Sequence, residues 1–318
     1  MKANRVGKKT INAITGMVNF ITLTVILLLL AYAGYALWDS SQIYQAADKS
    51  HYAVYKPTVE DEGKSFKELQ ALNSEVIAWL NVYGTNIDYP VAQGQDNMKY
   101  VNTNAEGLYS LSGAIFLDYQ NSMDFTDFNS ILYGHHMEKN TMFGEIGNFS
   151  DRNVFDSHLY GNLYFNESDH GIEFFAFVHA DAYDNEVFRP NVKGEARERY
   201  LDNLLAKAIH TRDIGVTIQD RIVLLSTCSL SSTNGRDILI GRLNDEAYDD
   251  PMIKTAFVNE TKEKSSTDSL YGFVKEIPLW VLIIIVVSIV VLLVRVLDLI
   301  INKNSNKKQN TMKGGSGR

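Results

Sequence analysis

Residues 221–228 read Arg-Ile-Val-Leu-Leu-Ser-Thr-Cys, and residues 236–243 read Arg-Asp-Ile-Leu-Ile-Gly-Arg-Leu. Both stretches are short and apolar, and residues 229–235 between them are polar. This pattern predicts two buried strands, at 221–226 and 237–243, joined by a loop. Cys228 and Arg236 then lie near the two ends of that loop, where side chains can reach a substrate.

The rest of the central region shows the same preference for strands. Apolar residues alternate at positions 76, 78, 80 and 82, and Gly84-Thr85-Asn86 turns the chain into a second run at 87–92. Further strands are predicted at 113–117, 130–133 and 172–179, and one amphipathic helix at 195–210. Strands joined through glycine-containing turns, with a single crossing helix, favour a mostly β protein with a closed β-barrel over a doubly wound α/β sheet.

The charge of the chain is unevenly distributed. The formal net charge of the 318 residues is -8. Residues 1–16 carry basic but no acidic side chains, and residues 295–318 are also basic, so the acidic excess lies in the middle. Affinity for phosphate rests on clustered Lys and Arg, so this middle region is a poor nucleic-acid-binding surface.

Two apolar runs adjoin the basic ends. Residues 17–38 lack a charged side chain and residues 277–297 are rich in Ile, Val and Leu, so each can cross a bilayer core of ~30 Å. The positive-inside rule then predicts a cytoplasmic basic tail at 1–16 and a cytoplasmic disordered tail at 298–318. The region 39–276 would be extracellular, with the barrel at about 60–243. A cleavable signal peptide is the alternative interpretation of the first run.

The candidate chemistry rests on few residues. Cys228 is the only cysteine, so outside the membrane it is either buried and inert or kept for its reactivity. The predicted strand 130–133 ends in Gly134-His135-His136, and imidazole can supply the base that a thiol nucleophile needs. Arg236 could stabilise an oxyanion, with a surface ion pair to Asp237 as the alternative. A metal site is disfavoured, because adjacent histidines on a strand do not share one face.

These residues resemble the sortases, membrane-anchored cysteine transpeptidases of Gram-positive bacteria. Leu225-Ser226-Thr227-Cys228 followed by Arg236 is similar to the family's TLxTC...R signature, with Leu in place of the first Thr. Residues 131–135, Ile-Leu-Tyr-Gly-His, are similar to the strand that ends in the catalytic histidine. Segments 86–91, 113–118 and 134–137 followed by 142–144, and a helix before the cysteine strand, resemble class B. The second apolar run departs from class B, whose members usually have only the amino-terminal span.

The resemblance implies a two-step acyl transfer without a cofactor. Cys228 would attack the sorting signal, His135 would act as general acid and base, and Arg236 would brace the oxyanion. Thr227 and Ser226 would line the substrate groove, although Thr227 could equally be an ordinary strand residue. His136 is left out of the catalytic set, because successive strand residues point to opposite faces.

The implied partners are proteins with an LPxTG-like sorting signal, an amine on a cell-wall precursor or a pilin, and membrane lipid, but no nucleic acid. Two alternatives stay open at this point. One is a membrane-bound cysteine peptidase that uses the same Cys228 and His135. The other is a non-catalytic two-span surface protein in which Cys228 is buried.

Overall fold

The computed structural model of the chain describes residues 2–58, 62–228 and 234–250, which form two compact units that divide after Tyr35. The helices in these ranges are α1 (Lys2–Ala47), α2 (Lys49–Tyr52), α3 (Lys64–Leu72), α4 (Arg152–Ser157) and α5 (Ala196–Lys207). The strands are β1 (Val76–Val82), β2 (Asp88–Ala92), β3 (Ile115–Leu117), β4 (Asn129–Tyr133), β5 (Tyr160–Phe165), β6 (Ser168–Asp181), β7 (Ala208–Thr211), β8 (Arg221–Cys228) and β9 (Gly235–Asn244).

The strands form one sheet that closes on itself. Their order is β5-β1-β2-β3-β4-β8-β9-β6-β7, and a further pairing of β5 with β6 joins the two sides. Eight strands therefore make a closed barrel, and β7 is an addition to the outer edge of β6. Closure leaves those eight strands without free edges, which explains how so many short strands are stable together. The predicted mostly β fold with a closed barrel is confirmed.

Apolar side chains are buried on both sides of the barrel wall. Alternate residues of the strands, such as Val223, Leu225 and Leu239, pack in one core cluster. Their neighbours Leu224 and Ile238 face the other way, into a second cluster with α5. Because strand side chains alternate, this double burial explains why β8 and β9 read as continuous apolar runs. Each fully buried Leu or Ile stabilises the fold by about 1.5 to 3 kcal/mol.

Helix α1 is the one helix among the described residues that is long and apolar enough to cross a membrane. The apolar part spans Ile14–Ala47 and reaches a mean hydropathy of 2.3. The predicted span at 17–38 lies within this helix. The predicted second span at 277–297 and the tail at 298–318 lie outside the described residues.

The secondary structure differs from the prediction at the end of α5 and at β5. The helix predicted over 195–210 ends at Lys207, and Ala208–Thr211 continue as β7. These residues pair with Ala176, Phe177 and Val178 of β6, and those hydrogen bonds replace the ones that another helical turn would make. Strand β5 was not predicted, although its pairing with both β1 and β6 closes the barrel.

Candidate active site

Three strand ends bring the predicted catalytic residues together. Strands β4 and β8 are parallel neighbours with Tyr133 beside Ser226, so their carboxyl ends lie at the same edge. The Gly134 amide donates to the Ser226 carbonyl at 3.2 Å, which continues this pairing to the residue before His135. Strand β9 returns antiparallel to β8, and its register places Arg236 directly opposite Cys228. Residues opposite each other in such a pair have Cα atoms about 4.5 to 5.5 Å apart.

A tight loop, residues 134–144, carries His135, and we call it the His135 loop. The Phe143 amide donates to the His135 carbonyl at 3.0 Å, which folds the loop back on itself. The Phe143 ring is fully buried against Gly134, where a Cβ atom would lie 2.7 Å from the ring. Only glycine therefore fits directly before His135.

The ring of His135 is half-buried and has a defined partner. Its Nε2 lies 2.8 Å from the Val101 carbonyl oxygen. A carbonyl oxygen only accepts, so Nε2 carries the hydrogen in this hydrogen bond. In the neutral ring Nδ1 then carries no hydrogen and is the nitrogen that can accept one. The neighbouring His136 lies beyond the end of β4, and its backbone pairs with Met142 in an isolated bridge.

Arg236 does not form the ion pair with Asp237 that was the alternative interpretation. The Asp237 carboxylate instead lies 2.9 Å from Nδ1 of His179. The half-buried Arg236 side chain donates from Nη1 to the Gly235 carbonyl at 3.0 Å. A guanidinium has several donors, so this bond leaves others for a ligand.

Ser226 and Thr227, the predicted substrate-binding residues, are 1% and 2% exposed. Neither hydroxyl has a hydrogen-bond partner within the described part of the chain. A buried hydroxyl without a partner is costly, so each is a group that a ligand could satisfy. Alternation places Ser226 on the face of Leu224 and Thr227 on the opposite face, with Leu225.

A buried carboxylate beside the site was not predicted. Asp118, only 2% exposed, accepts from the Tyr133 hydroxyl at 3.0 Å, from Asn97 Nδ2 at 2.8 Å and from the Gln120 amide at 2.9 Å. Burial, reinforced by Asp118, raises the pKa of Tyr133 far above its ordinary value, and the charge of Arg236 opposes this. Tyr133 therefore stays protonated and held in place two residues before His135.

Sequence signals for this cluster were present but incomplete. Asp118 directly follows β3, and Tyr133 ends β4, so both stand at strand ends where functional residues collect. Their contact depends on the antiparallel pairing of Phe116 with Tyr133, which the sequence alone does not specify. Within the described ranges, no three His, Cys, Asp or Glu side chains are grouped so that they could hold a metal ion.

Comparisons with known proteins show that the chain is similar to several sortases. No family model matches the chain. The chain is 32% identical to the sortase B of Listeria monocytogenes over 181 aligned residues. That alignment covers 56% of this chain and 73% of the Listeria protein. A crystal structure of sortase B from the type II pilus of Streptococcus pneumoniae is 47% identical with a TM-score of 0.50, covering 57% of this chain and 99% of that one. A class B sortase of Streptococcus pyogenes involved in pilus biogenesis is 40% identical with a TM-score of 0.53, covering 57% and 100%.

Proposed function

Because this chain belongs to the class B sortases, which are cysteine transpeptidases, we propose that it cleaves an LPxTG-like sorting signal and transfers the acyl group to an amine. One observation carries the assignment of the reacting residues. The register of β8 and β9 sets Cys228 opposite Arg236, and β4 delivers His135 to the same edge of the barrel. A nucleophile, an acid–base group and an oxyanion donor are the parts that acyl transfer needs.

The first proposed step forms a thioacyl-enzyme. The Cys228 thiolate attacks the carbonyl carbon of the Thr-Gly-type bond, and the carbon–nitrogen bond breaks. Protonated His135 gives its proton to the leaving amine. Since Nε2 of His135 is engaged with the Val101 carbonyl, Nδ1 is the nitrogen that we assign to this proton transfer. Arg236 holds the carbonyl oxygen while it carries negative charge.

The second proposed step reverses these roles with a new amine. The amine attacks the thioester carbonyl, the carbon–sulfur bond breaks, and His135 takes the proton that the amine loses. Cys228 returns to the thiolate form, so the cycle needs no cofactor. Ser226 and Thr227 are the proposed substrate-binding residues, and their buried hydroxyls, which have no partner among the residues that the structure describes, support this role.

We propose a pilin lysine as the amine, with a cell-wall precursor as the alternative. The likeness to two pilus-associated sortases, at 47% and 40% identity, favours the pilin. The test incubates the full chain with a sorting-signal peptide and either a lysine-containing pilin peptide or a cell-wall-type glycine peptide. Mass spectrometry should show the amide product in excess over free acid. Free acid alone, at any amine concentration, would indicate a cysteine peptidase, and no covalent adduct at all would indicate a non-catalytic surface protein.

We expect His135→Ala to lose most of its activity and His136→Ala to stay within a few-fold of the wild type. His135 is the proposed acid–base group, and such groups typically contribute ~10²-fold to 10⁴-fold. His136 is the matched control, because it is adjacent in the same loop and also half-buried. Steady-state transfer rates of the two variants decide the assignment. A large loss confined to His136→Ala would reverse it.

The proposed topology places the protein in the cell membrane with two spans and both termini in the cytoplasm. The apolar helix Ile14–Ala47 supports the first span. The second, at 277–297, rests on its apolar sequence and basic flank. With an epitope tag at each terminus, protease added to intact cells should digest the barrel and spare both tags. In permeabilised cells it should digest the barrel and both tags. Loss of the carboxy-terminal tag in intact cells would contradict the second span.

A further inference from the structure

The carboxyl end of α1 is hydrogen-bonded to the His135 loop through one buried tyrosine. Ala47, the last residue of α1, is fully buried, and its carbonyl accepts from the Tyr89 hydroxyl at 2.9 Å. The same hydroxyl accepts from the Met142 amide at 3.1 Å. Tyr89 lies on β2 and is 1% exposed, so water does not compete for these bonds. Burial raises the pKa of Tyr89 to about 12, which keeps the hydroxyl protonated as a donor.

Met142, which bonds Tyr89, and its neighbour Phe143 also hold the backbone around His135. Met142 pairs with His136 in the isolated bridge, and the next residue, Phe143, donates its amide to the His135 carbonyl at 3.0 Å. Only one peptide unit therefore separates the Tyr89 bond from the bond that fixes the His135 backbone. A shift of Met142 would be passed to the histidine whose ring must meet the substrate.

The His135 loop has an unfavourable backbone that needs such an anchor. Lys139, Asn140 and Met142 have φ angles of 59°, 58° and 52°, in the left-handed region that non-glycine residues avoid. Met142 has neither the flexibility of glycine nor the short polar side chain that eases this conformation in asparagine. Strained conformations persist where surrounding contacts hold them.

A second set of contacts joins α1 to the same loop. The Tyr44 hydroxyl donates to Glu138 at 3.3 Å. The ammonium group of Lys139 lies 4.4 Å from the centre of the Tyr44 ring, a cation–π contact. Tyr44 and Ala47 are three residues apart on the helix, so they share one face of it. The last turn of α1 therefore contacts the strained residue Lys139 directly and the strained residue Met142 through the Tyr89 hydroxyl.

We propose that the last turn of α1, residues 44–47, positions the catalytic histidine, with Tyr89 as the positioning residue that transmits the contact. This inference rests on the proposed function only for the role of His135. Helix α1 would then do more than form the proposed membrane span, since its end sets the geometry of the acid–base group. An enzyme cut free of α1 would keep its barrel but lose the support of the His135 loop.

The test removes one hydroxyl at a time from the full chain in detergent micelles. Tyr89→Phe removes the hydroxyl that bonds both Ala47 and Met142 and keeps the aromatic ring. Tyr52→Phe is the matched control, since Tyr52 is buried in the same core, lies against the Tyr89 ring at 6.3 Å and bonds the Ala105 backbone instead of the loop. We expect kcat to fall roughly ten-fold in Tyr89→Phe with KM unchanged, and to change less than two-fold in Tyr52→Phe.

Hydrogen exchange gives a readout that does not depend on activity. The amides of Met142 and Phe143 should exchange roughly ten-fold faster in Tyr89→Phe than in the wild type, and at the wild-type rate in Tyr52→Phe. Tyr44→Ala, at a half-buried position, is the second variant if Tyr89→Phe does not fold, and it should show a smaller change of the same kind.

The outcomes separate this inference from the proposed function. A wild-type chain that transfers no acyl group would defeat the proposed function, while exchange at Met142 and Phe143 would still decide whether α1 supports the loop. Wild-type kcat and wild-type protection in both Tyr89→Phe and Tyr44→Ala would overturn the inference. Equal losses of kcat in Tyr89→Phe and Tyr52→Phe would overturn it as well, because they would reflect general destabilisation.

Discussion

Cys228→Ala is expected to abolish acyl transfer completely, the largest effect of any single substitution in this protein. Without the sulfur no thioacyl bond forms, and alanine offers no other nucleophile. The change deletes one heavy atom, and the strand around it keeps its apolar neighbours Leu224 and Leu225. The fold should therefore survive with a nearly unchanged melting temperature.

The measurement for Cys228 uses its uniqueness in the chain. Because it is the only cysteine of 318 residues, an acyl adduct detected by mass spectrometry under denaturing conditions has a single thiol to occupy. The wild type should accumulate the adduct when the amine is withheld, and Cys228→Ala should show none. Transfer by a folded Cys228→Ala variant would rule out thioacyl chemistry.

The parts of the fold that could be predicted are those whose signal is local. Strands β8 and β9 are apolar on both faces, and the alternation from Val76 to Val82 marks β1, so their existence follows from short windows of sequence. A barrel also follows from many short strands separated by turns. Each of these inferences needs only near neighbours in the chain.

Strand β5 shows what local patterns leave out. The segment Tyr160–Phe165 contains Gly161 and mixes polar with aromatic residues, so it lacks a clean alternation. Its stability comes from pairing on both sides, with β1 about eighty residues earlier and with β6 directly after it. Whether such a segment forms a stable strand depends on these partners, because β-propensity depends strongly on context.

The candidate site also contains residues that local sequence suggests and contacts that only the pairing of strands creates. Cys228, His135 and Arg236 stand at strand ends and match a family motif, so the sequence alone was enough to propose them. Asp118 and its contact with Tyr133 could not, because that contact arises from the pairing of β3 with β4. The partner of Asp237 is likewise set by the sheet, since His179 lies directly opposite it on β6.

Arg236→Lys is expected to lose ~10²-fold to 10³-fold in turnover, roughly 3 to 4 kcal/mol, although it keeps the positive charge. A lysine ammonium is a compact point charge, whereas the planar guanidinium of Arg236 can donate to the Gly235 carbonyl and to an oxyanion at the same time. A residue on the surface without such a role would show well under ~1 kcal/mol. The assay is steady-state transfer of a sorting-signal peptide to an amine, with thermal melting in parallel.

Arg242→Lys is the matched control for this prediction. Arg242 lies on the same strand and the same face, six residues and therefore about 20 Å from Arg236, where it pairs with Glu173. A lysine ammonium lacks the planar fork that bonds Glu173 and the Ile214 carbonyl together, so the melting temperature should fall. Turnover should stay close to the wild type, because the site is a full strand length away. Full turnover in both Arg236→Lys and Arg236→Ala would remove Arg236 from the mechanism. The oxyanion would then need a different donor near the end of β8, and the Tyr133 hydroxyl, now bound to Asp118, would be the next group to test by Tyr133→Phe.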